Sequence, residues 1–262
     1  MKFDMHCHTR AGSIDGKVPV DRYIELLKSK GFDGMLITDH DSYRGYRKWL
    51  EASTEEQRGS FCVLAGIEYD TKDAGHFLVI MPDNVFLKVL RIRGMSLEML
   101  TWIVHRYGGV LGPAHPFGTR SSSAMFFKKV RKNRSVLKKM DFVEGFNTCE
   151  KARANRLAQS LARNINKPCI GGSDSHEESY IGMAFTEFED SIKTNNDLIK
   201  CIKNGKISDY GGTEREYTKK AKHKEAFYGV WGFKAYNRGL GFLFTPYRRY
   251  RMKKLIVHGI KI

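Results

Sequence analysis

Histidine and acidic residues of this chain cluster at the ends of short apolar runs, where they could bind metal ions. Of nine histidines, six fall within or directly at the ends of such runs: His6, His8, His40, His76, His115 and His176. Imidazole nitrogens combined with carboxylate oxygens are typical ligands of Mn, Fe or Zn. No two of the five cysteines have the CxxC spacing of a structural zinc site, so a site of histidines and carboxylates is expected.

His6 and His8 are two positions apart in an extended stretch, so their side chains are predicted to point to the same face. Two imidazoles arranged in this way can share one metal ion. Asp4 is assigned to the same face and is predicted to accept the remaining ring N–H, which would fix the tautomer. Asp174 and His176 repeat the spacing. Such clusters at the ends of different runs favour a metal centre over chance placement.

The apolar runs that carry these residues are predicted to be buried parallel strands. They alternate with stretches of helical spacing, as at Val20, Ile24 and Leu27. This alternation predicts an α/β fold with a mainly parallel sheet whose strand ends position the site, and Glu68 would supply a further carboxylate there. The spacing by itself leaves a barrel and a doubly wound sheet open. The predicted strands cover residues 2–8, 34–40, 61–70, 76–82, 109–115, 142–147 and 168–174.

The composition excludes wholesale disorder and indicates anionic ligands. The 262 residues are 41% hydrophobic, and 45 Lys and Arg oppose 29 Asp and Glu, a net charge of +16. Such a charge attracts phosphate esters, nucleic acid or an anionic membrane surface. The chain has no apolar stretch of the ~18 residues that a membrane span needs, and its amino end does not resemble a signal segment. A cytoplasmic protein is expected.

The positive charge is concentrated in the last fifty residues. After residue 212 there are 13 Lys and Arg against three Glu. We expect residues 1–212 to form the main domain and residues 213–262 a basic, aromatic C-terminal extension. The extension either binds single-stranded nucleic acid, lies on an anionic membrane, or packs on the main domain. Packing is favoured because clustered aromatic residues are most often core, and it would bury Trp231, Phe233, Phe242 and Phe244.

Several short motifs together resemble the PHP (polymerase and histidinol phosphatase) family. The four main ones are Asp4-x-His6-x-His8, Thr38-Asp39-His40-Asp41, Ala114-His115-Pro116 and Gly172-Ser173-Asp174-Ser175-His176. Gly66-Ile67-Glu68 and Gly75-His76-Phe77-Leu78 match the family's bridging glutamate and following histidine. Ser13-Ile14-Asp15-Gly16 is similar to the Ser-Asp-Gly stretch of members that act on nucleotides. The resemblance covers about residues 1–190 and implies a distorted (β/α)₇ TIM-like barrel.

The resemblance also implies two or three divalent metal ions: Mn, Zn or Fe. One ion would be held by His6, His8, Glu68 and Asp174, a second by Asp15, His40 and His176, and a third by Glu68, His76 and His115. Asp15 departs from the pattern of several family members, which have histidine at this position. The three remaining histidines, His105, His223 and His258, are expected to have surface roles.

The activity that the resemblance implies is metal-dependent hydrolysis of phosphate esters. Metal ions lower the pKa of water and stabilise the charge that develops on phosphate oxygens, so direct attack of metal-bound hydroxide is expected. Asp39 and His176 are both candidates for proton donation to the leaving oxygen. Arg120 and Arg153 are candidates for binding the substrate phosphate.

Nucleotides or short oligonucleotides are the expected substrates, because of the stretch around Asp15 and the basic surface. A histidinol-phosphate phosphatase or a protein-tyrosine phosphatase of the same family remains an alternative. A non-catalytic module that binds nucleic acid or a membrane is a third possibility. A decayed enzyme should have lost ligands, so the retention of every expected ligand position favours catalysis.

Overall fold

The computed structural model describes residues 1–118, 122–216 and 243–257, and the elements below lie within them. The strands are β1 (Lys2–Cys7), β2 (Gly34–Ile37), β3 (Cys62–Thr71), β4 (Gly75–Ile80), β5 (Val110–Pro113), β6 (Val143–Asn147), β7 (Cys169–Gly172), β8 (Ala184–Phe188) and β9 (Ile207–Gly212). The helices are α1 (Val20–Ser29), α2 (Arg44–Ala52), α3 (Glu55–Ser60), α4 (Leu97–Arg106), α5 (Lys128–Lys132), α6 (Ala152–Ile165), α7 (Asn195–Lys203) and α8 (Thr245–Val257).

Seven strands form one curled sheet in the order β5-β4-β3-β2-β1-β8-β9, and β6 pairs with β7. An isolated parallel bridge between Cys7 and Ser175 brings the end of β7 beside the end of β1. The result is a half-barrel of strands with helices around it. The expected α/β, barrel-like fold is therefore confirmed.

The predicted mainly parallel pairing is wrong in detail. Within the described residues, β1–β2, β2–β3 and β6–β7 are parallel, whereas β1–β8, β3–β4, β4–β5 and β8–β9 are antiparallel. Only residues 72–74 separate β3 from β4. So short a connection cannot return the chain to the start of a parallel strand, and a hairpin forms instead.

Two layers of apolar side chains hold the strands in place. Phe3, Met5 and Leu36 belong to a cluster of buried residues contributed by the strands and α7. Tyr23 and Met35 belong to a second cluster, in which α1 covers the sheet. The strand backbones are thereby fixed from both sides, and the polar side chains at their ends are held on a rigid support.

The last helix, α8, packs on the rest of the molecule through one apolar edge. Met252 is 9% exposed and belongs to a core cluster, against which Leu255 and Ile256 also pack. Phe244 is 50% exposed, so its predicted burial is wrong. The other aromatic residues assigned to this packing, Trp231, Phe233 and Phe242, lie outside the described residues. None of the described helices is both long and apolar enough to span a membrane.

Candidate metal centre

The side chains with metal-binding atoms come together at one edge of the sheet. His6 and His8 lie at the carboxyl end of β1, and Asp174 and His176 follow β7. β4 runs antiparallel to β3, so the amino end of β4, which carries His76, lies at the same edge. Each of the predicted ligands has a nitrogen or oxygen within 3.3 Å of another: His6, His8, Asp15, His40, Glu68, His76, His115, Asp174 and His176.

The first group consists of His6, His8, Glu68 and Asp174, whose ligand atoms lie within 4.8 Å of one another. The Nε2 atoms of His6 and His8 are 3.1 Å apart. Asp174 Oδ1 lies 3.2 Å from His8 Nε2, and Glu68 Oε2 lies 3.3 Å from the same atom. Two ring nitrogens and two carboxylate oxygens thus surround one point, which is a suitable donor set for a divalent cation.

The second group lies around Asp15, after β1. Asp15 Oδ2 is 3.3 Å from His176 Nε2 and 3.6 Å from His40 Nε2. Burial would raise the pKa of Asp15, but hydrogen bonds from His176 and His40 outweigh burial and hold the pKa well below its usual range. The rings of His40 and His176 also lie close to His8. The second group therefore adjoins the first.

The third group is organised by the other oxygen of Glu68. Glu68 Oε1 lies 2.8 Å from His76 Nδ1 and 2.9 Å from His115 Nε2. Its partner oxygen, Oε2, lies 3.0 Å from His40 Nδ1. One carboxylate is therefore in contact with all three groups, and Glu68 would be able to hold more than one metal ion.

The electrostatics of Glu68 support a cation at this position. Its Oε2 is buried without a hydrogen bond to any described residue, although ring nitrogens lie 3.0–3.5 Å away. Burial would raise the pKa of Glu68, but the charges of His76, His40 and His6 hold it well below its usual range. A buried acceptor without a donor is costly unless a cation satisfies it. The residues present therefore fit a metal ion.

Glu144 was missed in the sequence analysis. It is buried in β6, with Oε1 2.8 Å from His6 Nδ1. Oε2 accepts the backbone N–H of His115 at 2.6 Å and the side-chain amide of Asn147 at 3.1 Å. Glu144 therefore orients His6 so that Nε2 faces the first group. An acidic residue inside the predicted apolar strand 142–147 was the available signal.

Asp4 does not receive a ring N–H, contrary to the prediction. Its Oδ1 accepts the backbone N–H groups of His6 and Ser173. The register of β1 against β2 shifts between Asp4 and Cys7, where three steps along β1 match two steps along β2. The regular alternation of faces on which the prediction rested is therefore interrupted between Asp4 and the histidines. Burial raises the pKa of Asp4 to about 6.

Asp39 is directed away from the metal ligands, so its predicted role as a proton donor is not supported. It accepts hydrogen bonds from Thr9 N at 2.7 Å and Ser13 Oγ at 3.0 Å. Gly12 and Gly45 make room for the carboxylate, since a Cβ at either position would lie within 2.1 Å of Asp39 Oδ2. Asp39 therefore acts as a positioning group.

Ser13 connects Asp39 to the metal ligands. Its Oγ lies 3.1 Å from His8 Nδ1 and donates to Asp39. His8 Nδ1–H is then the donor to Ser13, and the lone pair of Nε2 is left for a ligand bond. Burial and the neighbouring charge of His176 lower the pKa of His8, which favours this neutral form.

The predicted phosphate-binding arginines have different outcomes. Arg120 lies outside the described residues. Arg153 is exposed in the first turn of α6. His105 binds Asp141 at 2.8 Å on the surface, away from the cluster, as expected, whereas His223 and His258 lie outside the described residues.

Arg215 is a further candidate that sequence reasoning missed. Its backbone N–H donates to Thr148 O at 2.8 Å, and its guanidinium lies 4.5 Å from the ring centre of Tyr180. A hydrogen bond joins Arg215 to the thiol of Cys149, and that sulfur is 3.4 Å from the carbonyl oxygen of Asp174. The arginine is thus held beside the ligand loop after β7. Arg215 belongs to the predicted basic extension, and no sequence pattern there indicated a position beside the metal ligands.

The fold agrees with several solved structures of low sequence identity. PsfC from Pseudomonas syringae PB-5123 is 18% identical, with a TM-score of 0.58 over 91% of this chain and 98% of that one. A predicted metal-dependent phosphoesterase from Bifidobacterium adolescentis ATCC 15703 is 16% identical, with a TM-score of 0.56 over 76% of this chain and 95% of that one. Endonuclease Q, in complex with a 27-mer duplex substrate that has an abasic lesion at the active site, is 19% identical, with a TM-score of 0.59 over 81% of this chain.

Sequence comparison assigns the family. This chain spans 60% of the length of the endonuclease Q chain. The search of curated protein sequences found no match to this chain. The PHP domain matches residues 4–159, and the PHP-associated segment matches residues 152–207. Because the PHP match covers more than half of the chain, the protein belongs to the PHP domain family.

Proposed function

We propose that this protein is a metal-dependent phosphoesterase that hydrolyses phosphate esters of nucleotides or short oligonucleotides. The observation that carries the proposal is the convergence of histidines and carboxylates in three adjoining groups, of which two contain Glu68 and the other contacts it through His40. We assign His6, His8, Glu68 and Asp174 to one ion, Asp15, His40 and His176 to a second, and Glu68, His76 and His115 to a third.

The chemistry requires a cation and groups that orient its ligands. Two or three divalent ions of Mn, Zn or Fe would supply hydroxide from water near neutral pH and offset the charge on phosphate oxygens. Glu144 and Ser13 hold the rings of His6 and His8 in the tautomers that leave Nε2 free. His176 Nδ1–H donates to the carbonyl oxygen of Asp174 at 3.0 Å, so His176 Nε2 is the atom that faces the site. Asp39 is turned away, and His176 Nε2 is assigned to the second ion, so neither predicted proton donor has a free N–H or O–H directed at a leaving oxygen.

Positive charge around the site supports a nucleotide-type substrate. Arg215 lies beside the loop that carries Asp174 and His176, and its planar guanidinium suits two oxygens of one phosphate. Endonuclease Q, which has a similar fold, binds a 27-mer duplex substrate with an abasic lesion at the active site. The boundary at residue 212 and the cytoplasmic location stay predictions.

A phosphate-release screen tests the proposal. The protein, freed of metal and then given Mn²⁺, Zn²⁺ or Fe²⁺, is offered nucleoside monophosphates, bisphosphates, dinucleotides, histidinol phosphate and phosphotyrosine. We expect hydrolysis of a nucleotide or dinucleotide that is lost in Glu68→Gln and kept in His105→Ala, whose ring lies outside the cluster. Preferred hydrolysis of histidinol phosphate or phosphotyrosine would contradict the assigned substrate. No hydrolysis with any metal would favour the non-catalytic binding module.

A further inference from the structure

An arginine-lined cavity lies beside the candidate metal centre and contains none of its ligands. Its volume is about 330 Å³, and its lining includes Arg91, Arg93, Arg248, Arg251, Phe244 and Tyr247. Three chain segments contribute: the loop after β2, the stretch that follows β4, and the beginning of α8 with the residue before it. Both matched family segments end before α8 begins, so this cavity depends on a part of the chain that the family match does not cover.

Two contacts connect the cavity to the metal centre. Asp41 lines the cavity and directly follows His40 in the chain. Arg93 forms an ion pair with Asp70, whose Oδ1 lies 3.8 Å from His76 Nε2. The cavity therefore adjoins the side of the metal centre formed by His40 and His76. A ligand longer than one nucleotide could occupy both places.

The packing of α8 holds its arginines at the cavity. Met252 is buried in the core, and Arg248 precedes it by four residues, which places both on one side of the helix. Arg248 and Arg251 are thus directed toward the cavity from an anchored helix. Four arginines against Asp41 and Asp70 leave an excess of positive charge. The arginine side chains repel one another unless an anion enters the cavity.

We propose that this cavity binds a phosphate of a single-stranded oligonucleotide while a different phosphate of the same strand lies at the metal centre. The inference rests on the proposed phosphoesterase function and specifies its substrate as an oligonucleotide. Arginine forks match phosphate oxygens. Phe244 and Tyr247, which are 50% and 58% exposed, present rings on which a neighbouring base can stack. Arginines interleaved with exposed aromatic rings are the usual means of binding single strands without sequence preference.

The test compares two double variants of α8 that change the charge equally. Arg248→Glu/Arg251→Glu alters the cavity, whereas Arg249→Glu/Lys253→Glu alters exposed positions of the same helix outside it. Binding is measured by fluorescence anisotropy with fluorescein-labelled hexathymidylate in metal-free buffer. We expect the cavity variant to bind at least about tenfold more weakly than the control variant, because charged hydrogen bonds to phosphate are lost. Equal weakening in both variants would show that binding depends on the total charge of the helix and not on the cavity, and would overturn the proposal.

A second variant keeps the test decisive if the charge reversal disturbs folding. Phe244→Ala/Tyr247→Ala removes exposed rings without a change in charge. Loss of stacking on a base predicts about fivefold or greater weakening of hexathymidylate binding. Melting curves establish that each variant is folded. Unchanged affinity in this folded variant would overturn the stacking role, and with it the single-strand assignment.

Kinetics separate failure of this inference from failure of the proposed function. The ratio of kcat/KM for hexathymidylate to that for thymidine 5′-(4-nitrophenyl phosphate), which has one phosphate, is expected to fall in the cavity variant and stay unchanged in the control variant. A wild type that hydrolyses neither compound but binds hexathymidylate through Arg248 and Arg251 would refute the function and support the cavity. A wild type that hydrolyses both, with the same ratio in both variants, would support the function and refute the cavity.

Discussion

His6 Nδ1 lies 2.8 Å from Glu144 Oε1, and both side chains are completely buried. The two residues are 138 positions apart in the chain, so the contact joins β1 to β6. The other oxygen of Glu144 accepts from His115 N, which draws the loop after β5 toward the same point. A single carboxylate thus orients one proposed ligand directly and positions the backbone of another.

Glu144→Gln tests this role. Both oxygens of Glu144 accept hydrogen bonds, so an amide must turn its NH₂ group toward a donor. We expect metal affinity to fall about 10–100-fold, as is typical when a group that orients a ligand is changed. Calorimetric titration with Mn²⁺ measures the affinity, and Glu98→Gln on the exposed face of α4 is the matched control. An affinity within threefold of wild type would contradict the orienting role.

Asp174→Asn should nearly abolish phosphate release while the fold stays intact. An amide carries no charge and is a poor ligand for a hard cation. Asp174 has a φ of 50°, a left-handed conformation that asparagine adopts readily, so the backbone has no reason to rearrange. Phosphate release and thermal melting are measured beside Asp21→Asn, an exposed aspartate of α1. Activity within threefold of wild type would refute the assigned role.

The stability of the metal-free protein should depend on pH through His115. Burial by itself would lower the pKa of His115, but the hydrogen bond and the charge of Glu68 outweigh burial and raise it to about 9. A raised pKa means that protonation favours folding. This contribution is complete below the unfolded pKa of about 6.5 and disappears as pH rises through about 9. Since a metal ion needs the unprotonated ring, metal affinity should rise over the same range.

Denaturation in the presence of a chelator measures this effect. Between pH 6.5 and 9.5 the free energy of unfolding of wild type should fall by about 3 kcal/mol more than that of His115→Asn. Other histidines of the cluster titrate in both proteins, so only the difference is assigned to His115. Parallel pH profiles for the two proteins would exclude the predicted shift.

Arg215→Ala tests phosphate binding beside the loop after β7. We expect KM to rise about tenfold, because a charged hydrogen bond to phosphate is lost, with a smaller effect on kcat. Arg215→Lys should restore only part of the loss, since an ammonium cannot form the paired contacts of a guanidinium. Arg163→Ala on the exposed side of α6 is the control. An unchanged KM would leave Arg215 a structural role only.

Truncation after residue 212 tests the packing of the extension. Removal of α8 uncovers the core surface that Met252, Leu255 and Ile256 contact, so we expect a lower melting temperature and increased binding of a hydrophobic dye. A chain that ends at residue 257 keeps α8 and is the control. An unaltered melting temperature in the shorter chain would show that packing of the extension contributes nothing to stability.

Local sequence patterns were sufficient to predict the chemistry of the candidate site. Three features indicated a metal site: the spacing of His6 and His8, the acidic residues beside other histidines, and the placement of both at the ends of apolar runs. All three are local patterns, so they can be recognised without information about distant contacts. The family motifs then predicted how the ligands would be grouped, and the structure brings all nine together. The barrel-like α/β fold followed from the same resemblance.

Contacts between distant segments of the chain select the groups that support those ligands. The register of β1 shifts between Asp4 and Cys7, and Glu144 from β6 is the partner of the His6 ring instead of Asp4. The pocket between Gly12 and Gly45 turned Asp39 toward Thr9 and Ser13, away from the metal ligands. Each of these outcomes depends on the close packing of segments far apart in the chain. Local spacing predicts only the face of a regular strand or helix to which a side chain points.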